Sequence, residues 1–156
     1  MVQQVFNSSQ IIADLLYKNW NLKNADVIKK ENISFNGFSS HPDTRFQDGN
    51  KIVIEIDNPV GTGEARTLAT TKILDYPRLD IWIKMDDTSR ESRIRYENYR
   101  ALIKDEVMRI IDINKKAIQG FKLSTFSRFI GGIDELENLI LRNAMILKAE
   151  WYHKAE

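Results

Sequence analysis

Three acidic residues in the first half of the sequence carry the strongest indication of reactive chemistry. Asp43, Glu55 and Asp57 are spaced somewhat as in metal-dependent nucleases. In those enzymes carboxylates hold Mg²⁺ beside the scissile phosphate, because a hard cation prefers oxygen ligands. Glu55 and Asp57 would share one face of a strand, but Asp57 stands where those enzymes have a lysine. The simpler interpretation is that these charges lie on the solvent side of a strand.

Other reactive residue types are scarce. Cysteine is absent, which excludes disulfides, thiolate metal sites and cysteine nucleophiles. The two histidines, His41 and His153, have no ligand partner at His-x-x-x-His spacing, so we expect no zinc site. No Gly-x-Ser-x-Gly motif exposes a serine nucleophile. We therefore predict a protein that is not an enzyme and that has no catalytic residues, no metal and no cofactor.

A glycine-rich stretch, Gly61-Thr62-Gly63, resembles the loops in which backbone amides approach a phosphate. It lacks the lysine and the following helix that a phosphate-binding loop requires. We interpret residues 60–65 as a flexible connector.

Aromatic residues offer a different hypothesis, since an exposed sheet with aromatic side chains can stack the bases of a single-stranded nucleic acid. Interleaved with Leu and Ile, such residues more often fill a core, and exposed aromatics also mark protein contacts. The residues concerned are Trp82, Phe121, Phe126, Phe129, Trp151 and Tyr152.

Composition and charge narrow the class of protein. The 156 residues include 23 Lys plus Arg and 22 Asp plus Glu, which gives a formal charge of +1. A protein that contacts many phosphates usually has a larger positive excess, although a local patch would still bind nucleic acid. No apolar run approaches the roughly 20 residues that span a bilayer, and residues 1–6 lack a secretion signal. We expect one soluble domain, residues 1–156, that contacts no membrane and stays where it is made.

Alternation of apolar and polar residues predicts the strands. Residues 51–56 and 79–85 alternate most clearly, and shorter strands are predicted over 33–35, 68–74 and 121–125. We expect neighbouring strands of one antiparallel sheet, separated by turns and by a long polar loop before residue 51.

Two helices are predicted from apolar residues at three- and four-residue spacing. The first covers residues 9–20 with Ser8 or Ser9 as its cap, and the second covers residues 88–117. Thr88-Ser89-Arg90-Glu91 matches a capping box at the start of the second helix. The predicted core comprises Leu15, Leu16, Ile54, Ile81, Ile83, Leu102, Val107 and Ile110.

The C-terminal segment is ambiguous. Residues 134–150 favour a helix by propensity, whereas Met145, Leu147, Ala149 and Trp151 fit one face of a strand. We predict a strand over residues 143–152. The predicted fold class is then α+β, with a mostly antiparallel sheet packed by the N-terminal helix and the long central helix.

The order of these elements resembles the tail-terminator and tail-completion proteins of tailed viruses and prophages. The resemblance comprises a helix, two or three strands, Tyr76-Pro77 before an alternating strand, a long central helix and a final strand pair. Residues 76–83, 90–114 and 142–152 carry it. It implies a structural homo-oligomer, usually a hexameric ring, that caps a tail tube and meets the head connector. Such a protein resides in the host cytoplasm during assembly and then in the virion.

Charged residues of the central helix alternate in sign and are predicted to pair across a ring interface, together with the loop around Gly61. The alternative is a small nucleic-acid-binding protein or a metal-dependent nuclease, in which the same arginines contact phosphates. The predicted interface residues are Gly61, Gly63, Arg66, Arg90, Arg93, Arg95, Glu97 and Arg100.

Overall fold

The computed structural model describes residues 6–57, 62–65, 70–127, 129, 134–135 and 137–154. The two α-helices are α1 (Ser8–Asn19) and α2 (Arg90–Ile113). Two short 3-10 turns, Asp26–Ile28 and Lys30–Asn32, follow α1. The strands are β1 (Ile33–Asn36), β2 (Ile52–Ile56), β3 (Thr62–Ala65), β4 (Thr70–Asp75), β5 (Arg78–Lys84), β6 (Lys122–Thr125) and β7 (Ile140–Lys154).

The centre of the sheet is one long antiparallel ribbon. Strands β4 and β5 follow each other in line and pair with the two halves of β7, from Thr70 opposite Lys154 to Lys84 opposite Ile140. Between them the Leu147 amide donates to the Pro77 carbonyl at 2.9 Å, so the register does not shift. The sequence predicted these strands as neighbours, and this was wrong for β4 and β5. They lie end to end because Pro77, which has no N–H, interrupts the strand without turning the chain back.

The remaining strands extend this ribbon on both sides. Strand β2 pairs antiparallel with β5, and β1 pairs parallel with β2. Strand β3 pairs antiparallel with β4, whereas β6 pairs with the opposite edge of β7. The predicted α+β class with a mostly antiparallel sheet is confirmed. The prediction of a flexible connector over residues 60–65 was wrong for Thr62–Ala65. These residues form a strand through main-chain hydrogen bonds to β4, although their side chains show no apolar alternation.

Both helices pack on one face of the sheet. Alternate residues of β2, β5 and β7 point to this face and are almost completely buried, as are the inner residues of α1 and α2. Each buried aliphatic side chain contributes about 1.5–3 kcal/mol relative to an exposed one. The predicted core is confirmed at Leu16, Ile54, Ile81, Ile83, Val107 and Ile110, while Leu15 and Leu102 are partly buried at the rim of the helices.

The helix starts differ from those predicted. Helix α1 is capped by Asn7, whose side chain accepts from the Gln10 amide, so neither serine is the cap. Instead the Ser9 hydroxyl donates to the Asp57 carbonyl at 2.9 Å and the Ser8 hydroxyl to Asp75 at 3.1 Å, which ties the helix to the sheet.

Helix α2 is capped by Ser89, which accepts from the Ser92 amide, and not by Thr88. It ends at Ile113, before the predicted residue 117, since Asn114 leaves helical geometry and its side chain bonds to the Ile110 carbonyl. The predicted C-terminal strand is confirmed and is longer than expected, because it spans both halves of the ribbon.

Candidate functional site

The sheet face opposite the helices has two halves. Residues 37–50 lie over the first half, which is formed by β2, β5 and the first part of β7, and we call it the covered half. The second half consists of β4, β6 and the last part of β7, and we call it the open half. Along the strands of both halves, the side chains that point to this face are mostly polar or charged, and they alternate with the apolar core residues that point to the helices. This alternation arises because successive residues of a strand point to opposite faces.

The covered half is held by a stacked aromatic ring and a buried ion pair. The Arg45 guanidinium carbon lies 3.7 Å from the centroid of the Trp82 ring, and that of Arg142 lies 4.7 Å from it. Arg45 Nε also donates to Glu55 at 2.8 Å, and the Ser40 amide donates to the same carboxylate at 2.7 Å. The prediction that Glu55 lies on the solvent side was wrong, because residues 37–50 bury it to 1% exposure.

Asp80 and Asp57 complete this network. Asp80, also buried, accepts from Arg78 Nε at 3.0 Å and from Arg142 Nη2 at 3.0 Å. Asp57 accepts from Arg78 Nη2 at 2.5 Å. Burial opposes the charge of Arg78, but the two neighbouring carboxylates outweigh it and raise the pKa of Arg78 above its usual value.

The carboxylates predicted to bind Mg²⁺ are not brought together. Glu55 and Asp57 are each bonded to an arginine, and Asp43 is an exposed loop residue beside His41. No group of three or more histidine or acidic side chains in the described part of the chain has the arrangement of a metal site. His153 lies on β7 opposite Thr71, away from His41.

The open half carries three lysines, of which Lys122 is exposed and Lys72 and Lys148 are partly buried. Lys72, Lys122 and Lys148 lie 3.6, 3.8 and 4.0 Å from the Glu150 carboxylate. Glu64 occupies the register position opposite Lys72 on β3. Among the side chains that are described on this half, three ammonium groups therefore meet one carboxylate, which leaves a positive excess.

The six aromatic residues predicted to stack bases do not form one platform. Phe121 and Trp151 are buried, stack on each other with centroids 5.9 Å apart and contact Phe6. Trp82 belongs to the covered half, and Phe129 is partly buried beside Lys104. Phe126 and Tyr152 are more than half exposed, and the Phe126 ring contacts Tyr76 edge to face at 5.0 Å.

A groove of about 310 Å³ opens beside this half, between the turn after α2 and the end of β7. Its apolar floor includes Ile118, Phe121 and Trp151, and its rim carries Lys116, Lys122 and Glu150. The sequence singled out the aromatic residues but not the groove, because the two segments are brought together by the pairing of β6 with β7.

The charged residues of α2 that were predicted as interface residues largely bond within the chain. Arg93 and Arg100 both contact Glu97 and also Asp134, each at 2.8 Å from the latter. Burial opposes ionisation of Asp134, but its bonds to Arg100 and Arg93 outweigh this and hold the pKa of Asp134 below its usual value.

The other predicted interface residues are spread over the molecule. Arg95 lies 3.7 Å from Asp86, and Arg90 is exposed at the start of α2. Gly63 is a backbone position of β3 opposite Ile73. Gly61 and Arg66 lie outside the described residues.

A second groove, of about 460 Å³, lies beside the start of α2. Lys51 contacts Asp86 and donates to the Tyr96 hydroxyl at 3.3 Å, and that hydroxyl donates to Asp86 at 2.9 Å. Burial raises the pKa of Tyr96 above its usual value. The three groups satisfy one another, so this cluster stabilises the junction of β5 and α2.

No protein-family model matches the sequence, and no curated protein is significantly similar to it. None of the described helices is both long enough and apolar enough to cross a membrane. The fold and its surfaces define an α+β protein with a charged open sheet face and an adjacent apolar groove.

Proposed function

We propose that this protein is a non-enzymatic structural protein of a tailed virus or prophage that forms a ring at the head-tail junction, as tail terminators do. The resemblance in element order supports this proposal, and the α+β fold agrees with it. The observation that carries it is the open half of the sheet face, which presents the exposed side chains of Lys122, Phe126 and Tyr152 while residues 37–50 cover the rest of that face. Such a surface suits a partner, because exposed aromatic side chains are enriched at protein contacts and charged side chains beside them select a partner of opposite charge.

Self-association is the first property to test. Sedimentation velocity and light scattering of the full chain, over a range of protein concentrations and at low and high salt, should show a closed oligomer of defined mass. Electron microscopy should then show rings, since heterologous contacts that close under rotation give cyclic symmetry. A monomer under all these conditions would contradict the ring.

The place in a virion needs a separate test. Addition of the purified protein to a suspension of tail tubes should cap one end of each tube and stop its further growth. The neighbouring genes give an independent check, because genes for a portal, a major capsid protein or a tail-tube protein are expected beside this one. A solitary gene among metabolic enzymes would contradict the assignment.

Single-stranded nucleic acid is the second candidate partner, and the same surface favours it. Tyr152 and Phe126 are exposed beside Lys72, Lys122 and Lys148, and aromatic rings next to cations bind single strands without sequence preference. Fluorescence anisotropy with a labelled oligonucleotide would show affinity that falls steeply with salt and falls about tenfold in Tyr152→Ala. Absence of oligonucleotide binding at low salt would exclude single-stranded nucleic acid as a partner.

A further inference from the structure

We propose that the groove between the turn after α2 and the end of β7 binds a small aromatic carboxylate. Its floor includes the rings of Phe121 and Trp151, and its rim carries Lys116, Lys122 and Tyr152. We call it the aromatic groove. The proposal goes beyond the structural role proposed above and does not depend on self-association.

The floor of the aromatic groove is a packed cluster of rings. Phe121 and Trp151 stack with their centroids 5.9 Å apart and their planes at 28°. Phe6 packs against both of these rings, at 5.3 and 5.7 Å between centroids. A planar ring of a ligand is suited to such a floor, because aromatic pairs gain stabilisation beyond the apolar area that they bury.

The walls of the aromatic groove are also held by the fold. In the turn after α2, the Phe121 amide donates to the Ile118 carbonyl at 3.1 Å, and the Leu123 amide donates to the Lys115 carbonyl at 3.0 Å. The opposite wall is the last part of β7, which is paired with β4. The groove is therefore formed before a ligand enters, which keeps the cost of ordering the site small.

The charge at the rim of the aromatic groove favours an anion. Lys122 has a side chain that is 63% exposed, and its ammonium group lies 3.8 Å from Glu150. That carboxylate is shared with Lys72 and Lys148, which lie 3.6 and 4.0 Å from it. Glu150 therefore cannot neutralise Lys122 alone, and Lys122 keeps positive charge for a ligand.

Lys116 supplies the second cation. It is exposed, and it forms no ion pair with any side chain in the described part of the chain. Asp112, the acid four residues before it, lies 3.8 Å from Lys115 instead. Two ammonium groups at the rim thus have capacity for an incoming carboxylate.

The size of the aromatic groove suits a small molecule. Its volume of about 310 Å³ is roughly twice that of a cavity of about 150 Å³ that holds one benzene. Ligand pockets in proteins begin at about 300 Å³ and combine an apolar lining with a few polar groups. A ligand with two fused rings fills this volume, and a carboxylate on its edge meets the lysines at the rim.

Three probes of equal shape and different charge test this site on the full chain. They are naphthalene-2-carboxylate, the neutral naphthalene-2-carboxamide and the cationic 2-(aminomethyl)naphthalene. Calorimetric titration should give a dissociation constant of about 1 mM or below for the carboxylate. The amide should bind about fivefold more weakly, because it lacks the charge that the lysines attract. The amine should not bind.

Nuclear magnetic resonance locates the bound carboxylate. The chain has three tryptophans, and each gives a separate indole N–H signal. The signal of Trp151 should shift as the carboxylate is added. The signals of Trp20 and Trp82, which lie outside the aromatic groove, should stay in place and serve as internal controls.

Variants separate the charge of the site from its apolar surface. Lys116→Gln with Lys122→Gln should weaken binding of the carboxylate about fivefold and leave binding of the amide unchanged. Tyr152→Ser should weaken binding of both probes about threefold, because it removes an aromatic ring from the rim. Lys18→Gln with Lys23→Gln removes the same charge at exposed positions near the end of α1, and it should bind both probes like the unaltered chain. Thermal melting shows that each variant is folded.

The outcomes separate this proposal from the proposed ring. Equal affinity for the carboxylate and the amine would show unselective adsorption to an apolar surface and would overturn the site. A Trp151 signal that shifts with protein concentration and not with the carboxylate would mean that a second copy covers the groove, which would also overturn it. A monomeric chain that binds the carboxylate through the two lysines would support the site and contradict the ring.

Discussion

The guanidinium carbon of Arg45 lies 3.7 Å from the centroid of the Trp82 indole ring. Arg45 belongs to the polar segment between β1 and β2, and Trp82 belongs to β5. This contact fixes residues 37–50 over the sheet, so it determines which part of the sheet face stays open. The stacking contributes of the order of 1–2 kcal/mol, because the ring and its partner are largely shielded from water.

Loss of Arg45 should destabilise the protein strongly. Arg45→Met leaves the carboxylate of Glu55 buried without its ion-pair partner, and breaking a buried pair on one side costs about 3–5 kcal/mol. Urea denaturation measures this loss. Arg45→Met combined with Glu55→Gln should recover part of the stability, since the unpaired charge is gone. Lys115→Met, which breaks an exposed pair with Asp112, should stay within about 0.5 kcal/mol of the unaltered chain.

Low pH should weaken the ion pairs that Asp134 makes with Arg93 and Arg100 of α2. The pKa of Asp134 is lowered in the folded chain, so its carboxylate stabilises the fold fully above the unfolded pKa. That contribution disappears as the pH falls through the lowered folded pKa, which places the loss below about pH 5. Asp134→Asn should therefore lower the melting temperature at pH 7 and make melting less dependent on pH in the acid range. Glu137→Gln, at an exposed position nearby, is the matched control. Equal pH profiles for Asp134→Asn and the unaltered chain would contradict the role of this carboxylate.

Ile83→Asp should prevent folding, whereas the same substitution at Ile94 should not. Ile83 is fully buried and Ile94 is half exposed. A buried unpaired charge costs several kcal/mol, about as much as the whole stability of a small domain. Yield of soluble protein and circular dichroism compare the two variants directly. A folded, stable Ile83→Asp variant would contradict the assigned core.

Deletion of Tyr76 should be far more harmful than deletion of Gln47. Tyr76 lies between β4 and β5, and removing one residue there moves one half of the ribbon by one position against β7. Each side chain of that half then points to the wrong face of the sheet. Gln47 lies in an exposed turn of the loop, where a deletion changes no register. Thermal melting compares the two deletions, and similar melting temperatures would argue against a continuous ribbon.

The sequence predicted the elements that have an apolar period of their own. The alternation around Ile54 and Ile81 identified β2 and β5, and the spacing around Val107 identified α2. Strand β3 was missed because Gly63 and its neighbours have no apolar pattern, and their pairing is decided by the free edge of β4.

The candidate surfaces were harder to predict, because each depends on contacts between distant segments. Glu55 and Asp80 look like solvent charges in a strand pattern, and residues 37–50 determine that they are buried. The groove between the turn after α2 and the end of β7 requires Gly120 to lie beside Trp151. The spacing of apolar residues within one segment gives no information about contacts with a distant segment. The only indication in the sequence was that both segments contain basic and aromatic residues.

The long ribbon also constrains how the chain can fold during synthesis. Strand β7 is made after every other described strand, yet β4, β5 and β6 all take their central partner from it. Until residues 140–154 leave the ribosome, the edges of those strands are unpaired, and Leu79, Ile81 and Ile83 lack their neighbours on β7. Most of the sheet must therefore form after residues 140–154 have been synthesised, and a nascent chain that stalls before residue 140 is a substrate for chaperones and a risk for aggregation.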